Sequence, residues 1–176
     1  MKISIITVCK NAEKAIERTI LSVVTQTYKN IEYIIVDGAS TDETIEIVKQ
    51  YAEKHSNIKW ISESDSGIYQ AMNKGIKLSS GDYLLFLNAG DYLVHYGVLE
   101  LLAGILKEGK YDLIHGNCFC VDPATGAYSI INGIEKPTMD FFYDNSLPHQ
   151  AIFYKRVLFE KFGCFDERYN VFSDSI

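Results

Sequence analysis

The chain has 176 residues, 47% of them hydrophobic, with only three Pro, which reads as one globular domain large enough for its own core. A net charge of −6 argues against a general nucleic-acid binder, whose footprint is basic. No apolar run nears the ~20 residues of a membrane span, and MKISIITVCKN turns polar too early for a signal peptide.

In chain order, the β-branched run Lys2 to Cys9 predicts a buried strand. Asn11 is a candidate N-cap for a helix from Ala12, with Ala15, Ile16, Ile20, Val23 and Val24 at helical spacing. Ile31 to Val36 is the second strand. Ser40 or Thr41 is expected to cap a helix running to about His55. A short strand, Ile58 to Ile61, precedes a helix over Gly67 to Leu78. Tyr83 to Leu87 is the fourth strand, and Val98 to Leu106 an amphipathic helix closed by Gly109. Leu113 to Val121 and Ala127 to Ile131 flank the turn signal PATG and predict a hairpin. Ile152 to Tyr154 is a last strand, and Arg156 to Phe162 a short helix stopped by Gly163.

Strand–helix alternation through about residue 110 implies an α/β fold with a mostly parallel sheet and helices on both faces. The later hairpin makes the sheet mixed. The cysteines Cys9, Cys118, Cys120 and Cys164 form no C-x-x-C pair and read as reduced structural thiols of a cytosolic protein. Cys118 and Cys120 are assigned to opposite faces of a strand, which would spoil them as joint metal ligands. The chain stops at FSDSI after an acidic loop, with no closing element, so the expectation is the N-terminal part of a longer, truncated protein.

In open α/β sheets, ligands bind outside the carboxyl ends of the strands. Four segments converge there: Val8 to Asn11, Asp37 to Thr41, Glu63 to Gly67 and Asn88 to Asp91. Asp37 could accept a hydrogen bond from a base or ribose, and Gly38 lets a ligand approach the backbone; an ordinary strand-to-helix turn is the plain alternative. Glu63 to Gly67 is acidic at a helix start, where simple capping by Ser64 or Ser66 competes. Lys74 is either solvated or useful beside a pyrophosphate. Asp91 follows a buried strand closely, and a carboxylate there can hold a divalent cation against a diphosphate, since hard cations take oxygen ligands from both. His149 and Asp174 would not stand out on their own.

Together these segments resemble a family 2 glycosyltransferase of the GT-A, nucleotide-diphospho-sugar transferase fold. The motifs are SIITVCKNA, IEYIIVDGASTDETIEI, SDSGIYQAMNKGIKLSSGDYLLFLNAGD and LPHQAIFYKRVLFEKFGCFDERYNVFSD, which cover nearly the whole chain in order. The resemblance implies one domain over 1–176, with a nucleotide-sugar-binding half over 1–110 and an acceptor-side half over 111–176. Thr7 and Asn11 would line the nucleotide pocket, and Asp37, with Ser40 nearby, would bind a uracil or thymine ring. Asp65, Asn73, Asn88 and Asp91 would border the donor. His149 and Gln150 would border the acceptor, and Asp174 would be the catalytic base. The cofactor would be Mg²⁺ or Mn²⁺ held through Asp91. The chain departs from the family where the metal motif commonly reads D-A-D-D and here reads Asn88-Ala89-Gly90-Asp91, a form that a subset of the family carries. It departs again at Met72, where an Arg often stands.

The implied reaction is inverting transfer from a UDP- or dTDP-sugar to a hydroxyl of a saccharide or lipid-linked saccharide, in surface polysaccharide assembly. The implied place is the cytoplasm, with the inner membrane face as a site of peripheral association and no nucleic-acid partner. A sugar-1-phosphate nucleotidyltransferase or a dehydrogenase needs a Gly-rich loop after the first strand, and Thr7 to Asn11 contains no Gly. The surviving rival is a degenerate or truncated domain that binds a nucleotide-sugar or a partner without turnover.

Overall fold

The computed structural model describes residues 1–122, 124–134 and 147–168. Its centre is a six-stranded sheet in the order β3-β2-β1-β4-β8-β5. The strands are β1 (Ile3–Cys9), β2 (Ile31–Asp37), β3 (Ile58–Ser62), β4 (Tyr83–Phe86), β5 (Leu113–His115) and β8 (Ile152–Lys155). β1 pairs in parallel with both β2 and β4, and β2 with β3; β8 runs antiparallel to its neighbours β4 and β5. The mostly parallel α/β sheet is the architecture that the alternation of elements implies; it is mixed through the antiparallel β8 rather than through the later hairpin.

Side chains of a strand alternate between faces, and β1 shows why this sheet needs helices on both. Ile3, Ile5 and Cys9 pack into one core with Ile16, Ile20 and Val23 of α1 (Ile16–Val24), Val48 of α2 (Thr44–Lys54) and Leu99 of α4 (Val98–Leu106). Ile6 and Val8 pack into the other with Ala71, Met72 and Ile76 of α3 (Ile68–Leu78) and Phe159 of α5 (Val157–Phe162). Each fully buried Ile or Leu contributes roughly 1.5–3 kcal/mol. Met72 belongs to this second core at 3% exposure, so the position where an Arg often stands faces the sheet.

Several local expectations are corrected. The first helix begins at Ile16, not Ala12, and Asn11 does not cap it; Asn11 sits at φ 50 and its Oδ1 accepts the Thr41 N–H at 2.9 Å. Neither Ser40 nor Thr41 caps α2, which starts after Glu43; Asp42 Oδ1 accepts the Thr44 N–H instead. The run Leu113 to Val121 breaks into two strands. β5 joins the main sheet, while β6 (Cys118–Val121) pairs antiparallel with β7 (Tyr128–Ile131) as a separate hairpin. Residues two apart on a strand share a face. Cys118 and Cys120 therefore lie on the same, more buried side of β6, with Phe119 and Val121 exposed on the other. Burial, and then the neighbouring Cys120, push the Cys118 thiol up to about 11.

At the sheet's opposite, amino edge, Glu32 of β2 is 3% exposed. Its carboxylate accepts from Ser4 Oγ at 2.6 Å, Lys2 Nζ at 2.9 Å and Lys59 Nζ at 3.4 Å, and from the Ser80 N–H. Burial alone would raise this carboxyl, but the hydrogen bonds from Ser4, Lys2 and Ser80 outweigh it and hold it down at about 2. A carboxyl depressed below its unfolded value of roughly 4.3 stabilises the fold above that value. The contribution is lost as pH falls toward about 2. Glu32→Gln should therefore cost about 1.5–3 kcal/mol at neutral pH, and urea unfolding should show the difference from wild type shrinking below roughly pH 4.

Candidate functional site

In the order β3-β2-β1-β4 the chain runs outward from β1 to β3 and then returns to β4 on the other side of β1. The loops after β1 and β4 thus leave the sheet in opposite senses and open a crevice between them. A cleft of about 440 Å³ lies there, lined by Val8, Cys9, Lys10, Asp65, Ser66, Gly67, Ile68, Ala71 and Asn88.

The floor is the end of β1, Val8 and Cys9, backed by the start of the β2 loop. Asp37 ends β2, is fully buried, and binds its surroundings through both oxygens. Oδ2 accepts the Ser40 N–H at 2.9 Å and Ser62 Oγ at 2.6 Å; Oδ1 accepts Ser40 Oγ and, weakly, Cys9 Sγ at 3.7 Å. Burial, and then Asp37, push the Cys9 thiol far above its ordinary range, so it stays protonated and a donor. Ser40 Oγ also accepts the Asn11 N–H at 2.7 Å, so Asp37, Ser40, Asn11 and Thr41 knit the two loops into one wall.

The side wall is the loop before α3. A methyl group on Gly38 would come within 2.5 Å of Asp65 Oδ2 and 3.3 Å of Lys10 Cδ. Glycine at that position is what lets the Asp65 carboxylate and the Lys10 chain lie across it. Asp65 Oδ1 accepts the Gly67 N–H at 3.1 Å and Gln70 Oε1 the Ser66 N–H at 2.8 Å, so the helix start is ordered by Asp65 and Gln70, not by Ser64 or Ser66. Lys74 pairs with Glu63 at 2.9 Å and donates to the Ser64 carbonyl at 2.9 Å, which fastens the same loop.

The far wall follows β4. Gly90, at φ 107, turns the chain there, a conformation that favours glycine. Thr19 of α1 holds this turn: its Oγ1 accepts the Gly90 N–H at 3.0 Å and donates to the Asp91 carbonyl at 2.8 Å. Asn88 Nδ2 lies 3.0 Å from His149 Nε2, which brings the short 3-10 turn His149–Ala151, just ahead of β8, against the β4 loop. Gln150 Nε2 donates to Cys118 Sγ at 3.4 Å. Asn88 Oδ1 is buried and meets no hydrogen-bond partner among the described residues. An orphaned amide oxygen on the turn that carries Asp91 suits a hard cation, which takes carbonyl and carboxylate oxygens. Among the described residues no group of three or more His, Cys, Asp or Glu is placed to hold a metal alone. An ion at Asn88 and Asp91 would thus draw further ligands from a bound diphosphate.

The expected residues divide. Asp65 and Asn88 line the cleft, with Asp37, Ser40 and Asn11 in its supporting wall and Asp91 on the turn beyond Asn88. Thr7 does not line it: the residue is fully buried, its hydroxyl donating to the Leu87 carbonyl at 2.6 Å and lying 2.9 Å from Tyr33 Oη. Asn73 is 3% exposed, with its amide committed to Phe165 and Glu167. Asp174 lies outside the described residues. Sequence reasoning missed Lys10 and Thr19. Lys10 sits one position before Asn11, inside a segment already singled out, whereas Thr19 looks like a polar gap in an apolar helix face and its partners are more than seventy residues away.

Comparison with known proteins agrees with this geometry. The sequence family described as "Glycosyl transferase family 2" matches residues 4–163, so the chain belongs to that family of glycosyltransferases. It is 32% identical over 176 residues to a PGL/p-HBAD biosynthesis glycosyltransferase of Mycobacterium bovis, covering 97% of this chain and 66% of the relative. It is also 32% identical over 127 residues to the glycosyltransferase GlyA of Streptococcus pneumoniae, covering 72% of this chain and 18% of GlyA. The chain therefore spans about 66% of the length of the mycobacterial relative. The fold is GT-A. The S. aureus TarS fragment 1–349 solved with UDP superposes at a TM-score of 0.72 with 24% identity, over 98% of this chain and 52% of TarS. The mannosyltransferase PcManGT of Pyrobaculum calidifontis, solved with GDP-Man and Mn²⁺, gives 0.73 and 19%, over 94% and 48%. No described helix is long and apolar enough to cross a membrane.

Because Thr7 ties β1 to β4 and to Tyr33 without reaching the cleft, Thr7→Val should cost about 1–3 kcal/mol of stability by leaving buried partners unpaired. Thermal unfolding should show that loss, while UDP affinity measured by calorimetry on the folded variant stays within about twofold of wild type.

Proposed function

We propose that this glycosyltransferase moves a sugar from a nucleotide-diphosphate sugar, UDP- or dTDP-linked, to a hydroxyl of a saccharide or lipid-linked saccharide, with inversion. The observation that carries the reading is the cleft at the sheet's switch point, where Asp65, Lys10 and Asn88 surround a space of about 440 Å³. Structural neighbours of the chain were solved with UDP, UDP-GlcNAc and GDP-Man. One relative, of Mycobacterium bovis, is named as a PGL/p-HBAD biosynthesis glycosyltransferase; a saccharide or lipid-linked acceptor and a place near the inner membrane face belong to the same proposal.

In this reading the base lies against Asp37, its N–H taking the place of the Cys9 thiol, the weakest of the donors now on that carboxylate. Asn11 and Ser40 hold the wall in place, and Asp65 borders the ribose and sugar side. Asn88 and Asp91 would hold Mg²⁺ or Mn²⁺, which when bound offsets the charge that builds on the leaving diphosphate. His149 and Gln150 border the acceptor. The acceptor oxygen forms its bond to the anomeric carbon as the bond from that carbon to the diphosphate oxygen breaks. Asp174 takes the hydroxyl proton, and the nucleoside diphosphate leaves with the electron pair.

Two measurements test this. Asp37→Ala should weaken UDP or dTDP binding by roughly 1.5–3 kcal/mol in a folded variant; unchanged affinity removes Asp37 from the base site. Mn²⁺ should tighten UDP binding by the wild-type chain, and Asp91→Asn should abolish that gain; equal tightening in the variant moves the ion off Asp91. A chain that binds UDP-sugar but releases no UDP, with or without Mn²⁺, would be a binding module, a reading that the neutral Asn88 in the metal motif favours.

A further inference from the structure

Helix α3 has two ends with different duties. Its first turn, with the preceding Ser66 and Gly67, lines the cleft. Farther along, Asn73 grips the segment that follows α5. Asn73 Nδ2 donates to the Phe165 carbonyl at 2.9 Å and to Glu167 Oε1 at 2.9 Å, while Asn73 Oδ1 accepts the Phe165 N–H at 3.0 Å. Gln70, one turn earlier, donates from Nε2 to Glu167 Oε2 at 3.3 Å. The Asn73 amide thus stands in for a peptide group and pairs with both backbone atoms of Phe165, as one strand pairs with the next. Its two protons and its oxygen are all used, at 3% exposure, so nothing remains for a donor sugar.

The grip is specific to this segment. The Phe165 ring sits 5.3 Å from Phe86, 5.5 Å from Tyr69 and 5.7 Å from Phe159, centroid to centroid. Phe86 ends β4, directly before the turn that carries Asn88 and Asp91. Aromatic packing orients the ring, and the Asn73 bracket sets the register of the backbone beneath it. The Glu167 carboxyl is held below its ordinary value, chiefly by the Asn73 amide.

We infer that Asn73 is a positioning residue: it fastens Phe165 to Glu167 onto the helix whose first turn lines the cleft, and thereby governs turnover without touching the donor. This rests on the transfer reading above, because the fastened segment leads in sequence to Asp174. An amide that fixes the approach of reacting groups acts on kcat, since small misplacements cost more in rate than in ground-state binding.

The test uses the whole chain and three readouts: UDP and dTDP affinity by calorimetry, release of nucleoside diphosphate from UDP- and dTDP-sugars, and tryptic cleavage after Arg168. Asn73→Asp keeps the size and one acceptor but loses both N–H donors and faces the Glu167 carboxylate. It should leave nucleotide affinity and the donor KM within about twofold, lower kcat at least about 10-fold, and speed cleavage after Arg168. Adding Glu167→Gln returns a donor to the swapped pair and should recover most of the lost kcat. Where Asn73→Asp folds poorly, Glu167→Ala alone gives the same split of kcat from KM on a smaller scale. Loss of nucleotide affinity in a folded Asn73→Asp would make the residue a donor contact and overturn the inference. Unchanged kcat, or a fall that Glu167→Gln does not rescue and that tracks the melting temperature, would overturn it too. A wild-type chain that binds neither nucleotide would sink the donor-site reading itself, and the positioning role with it. A wild-type chain that binds and turns over beside an unaffected variant would sink the positioning role alone.

Discussion

The register between β1 and β4 is the constraint on which the site depends. Ile6 faces Phe86 across the parallel ladder, and the pairing continues past the strand through Leu87 N to the Ile6 carbonyl at 2.9 Å and Ala89 N to the Val8 carbonyl at 3.1 Å. Thr7 Oγ1 closes the same seam on the Leu87 carbonyl at 2.6 Å. A shift of one residue would send every side chain of β4 to the wrong face. It would also carry Asn88 away from Cys9 and Lys10. The helices on both sides fill space around this seam, and the cleft is what its divergent loops leave open.

The polar residues above the seam act in tiers. Asp37 organises Ser40, Cys9 and Ser62, a buried carboxyl satisfied by several donors rather than by one ion pair. Thr19 does for the β4 turn what Ser40 does for the β2 loop. Both are small hydroxyls with one donor and room for acceptors, the right size for bridging backbone groups of separate loops. Glu32 gathers Lys2, Ser4, Lys59 and Ser80 at the opposite edge and closes the amino ends of the same strands. The sheet is thus tied by carboxylates at both rims, and the cleft opens at the carboxyl rim.

The chain by itself determined the alternation of elements, the two-sided burial of β1, β2 and β4, and the edge at which chemistry would gather. Those features are written in local periodicity and in where apolar runs end, and they need no distant partner to be read. The motif resemblance added the family, which the match over residues 4–163 bears out. Caps and short breaks were less legible. Asn11, Ser40 and Thr41 look like helix caps because they precede helices, yet their hydrogen bonds run between loops thirty residues apart. The split of Leu113 to Val121 was hidden because β5 is held by β8, a strand far along the chain.

Only the tertiary structure decided which polar residue faces the cleft and which holds another residue in place. Thr7 and Asn73 sit in motifs as prominent as those of Asp65 and Asn88, but the fold spends their hydrogen bonds on Leu87, Tyr33, Phe165 and Glu167. Sequence sets a side chain's donors and acceptors; which of them remain for a ligand depends on what long-range packing places beside them. A buried polar group must find its partners wherever the fold brings them.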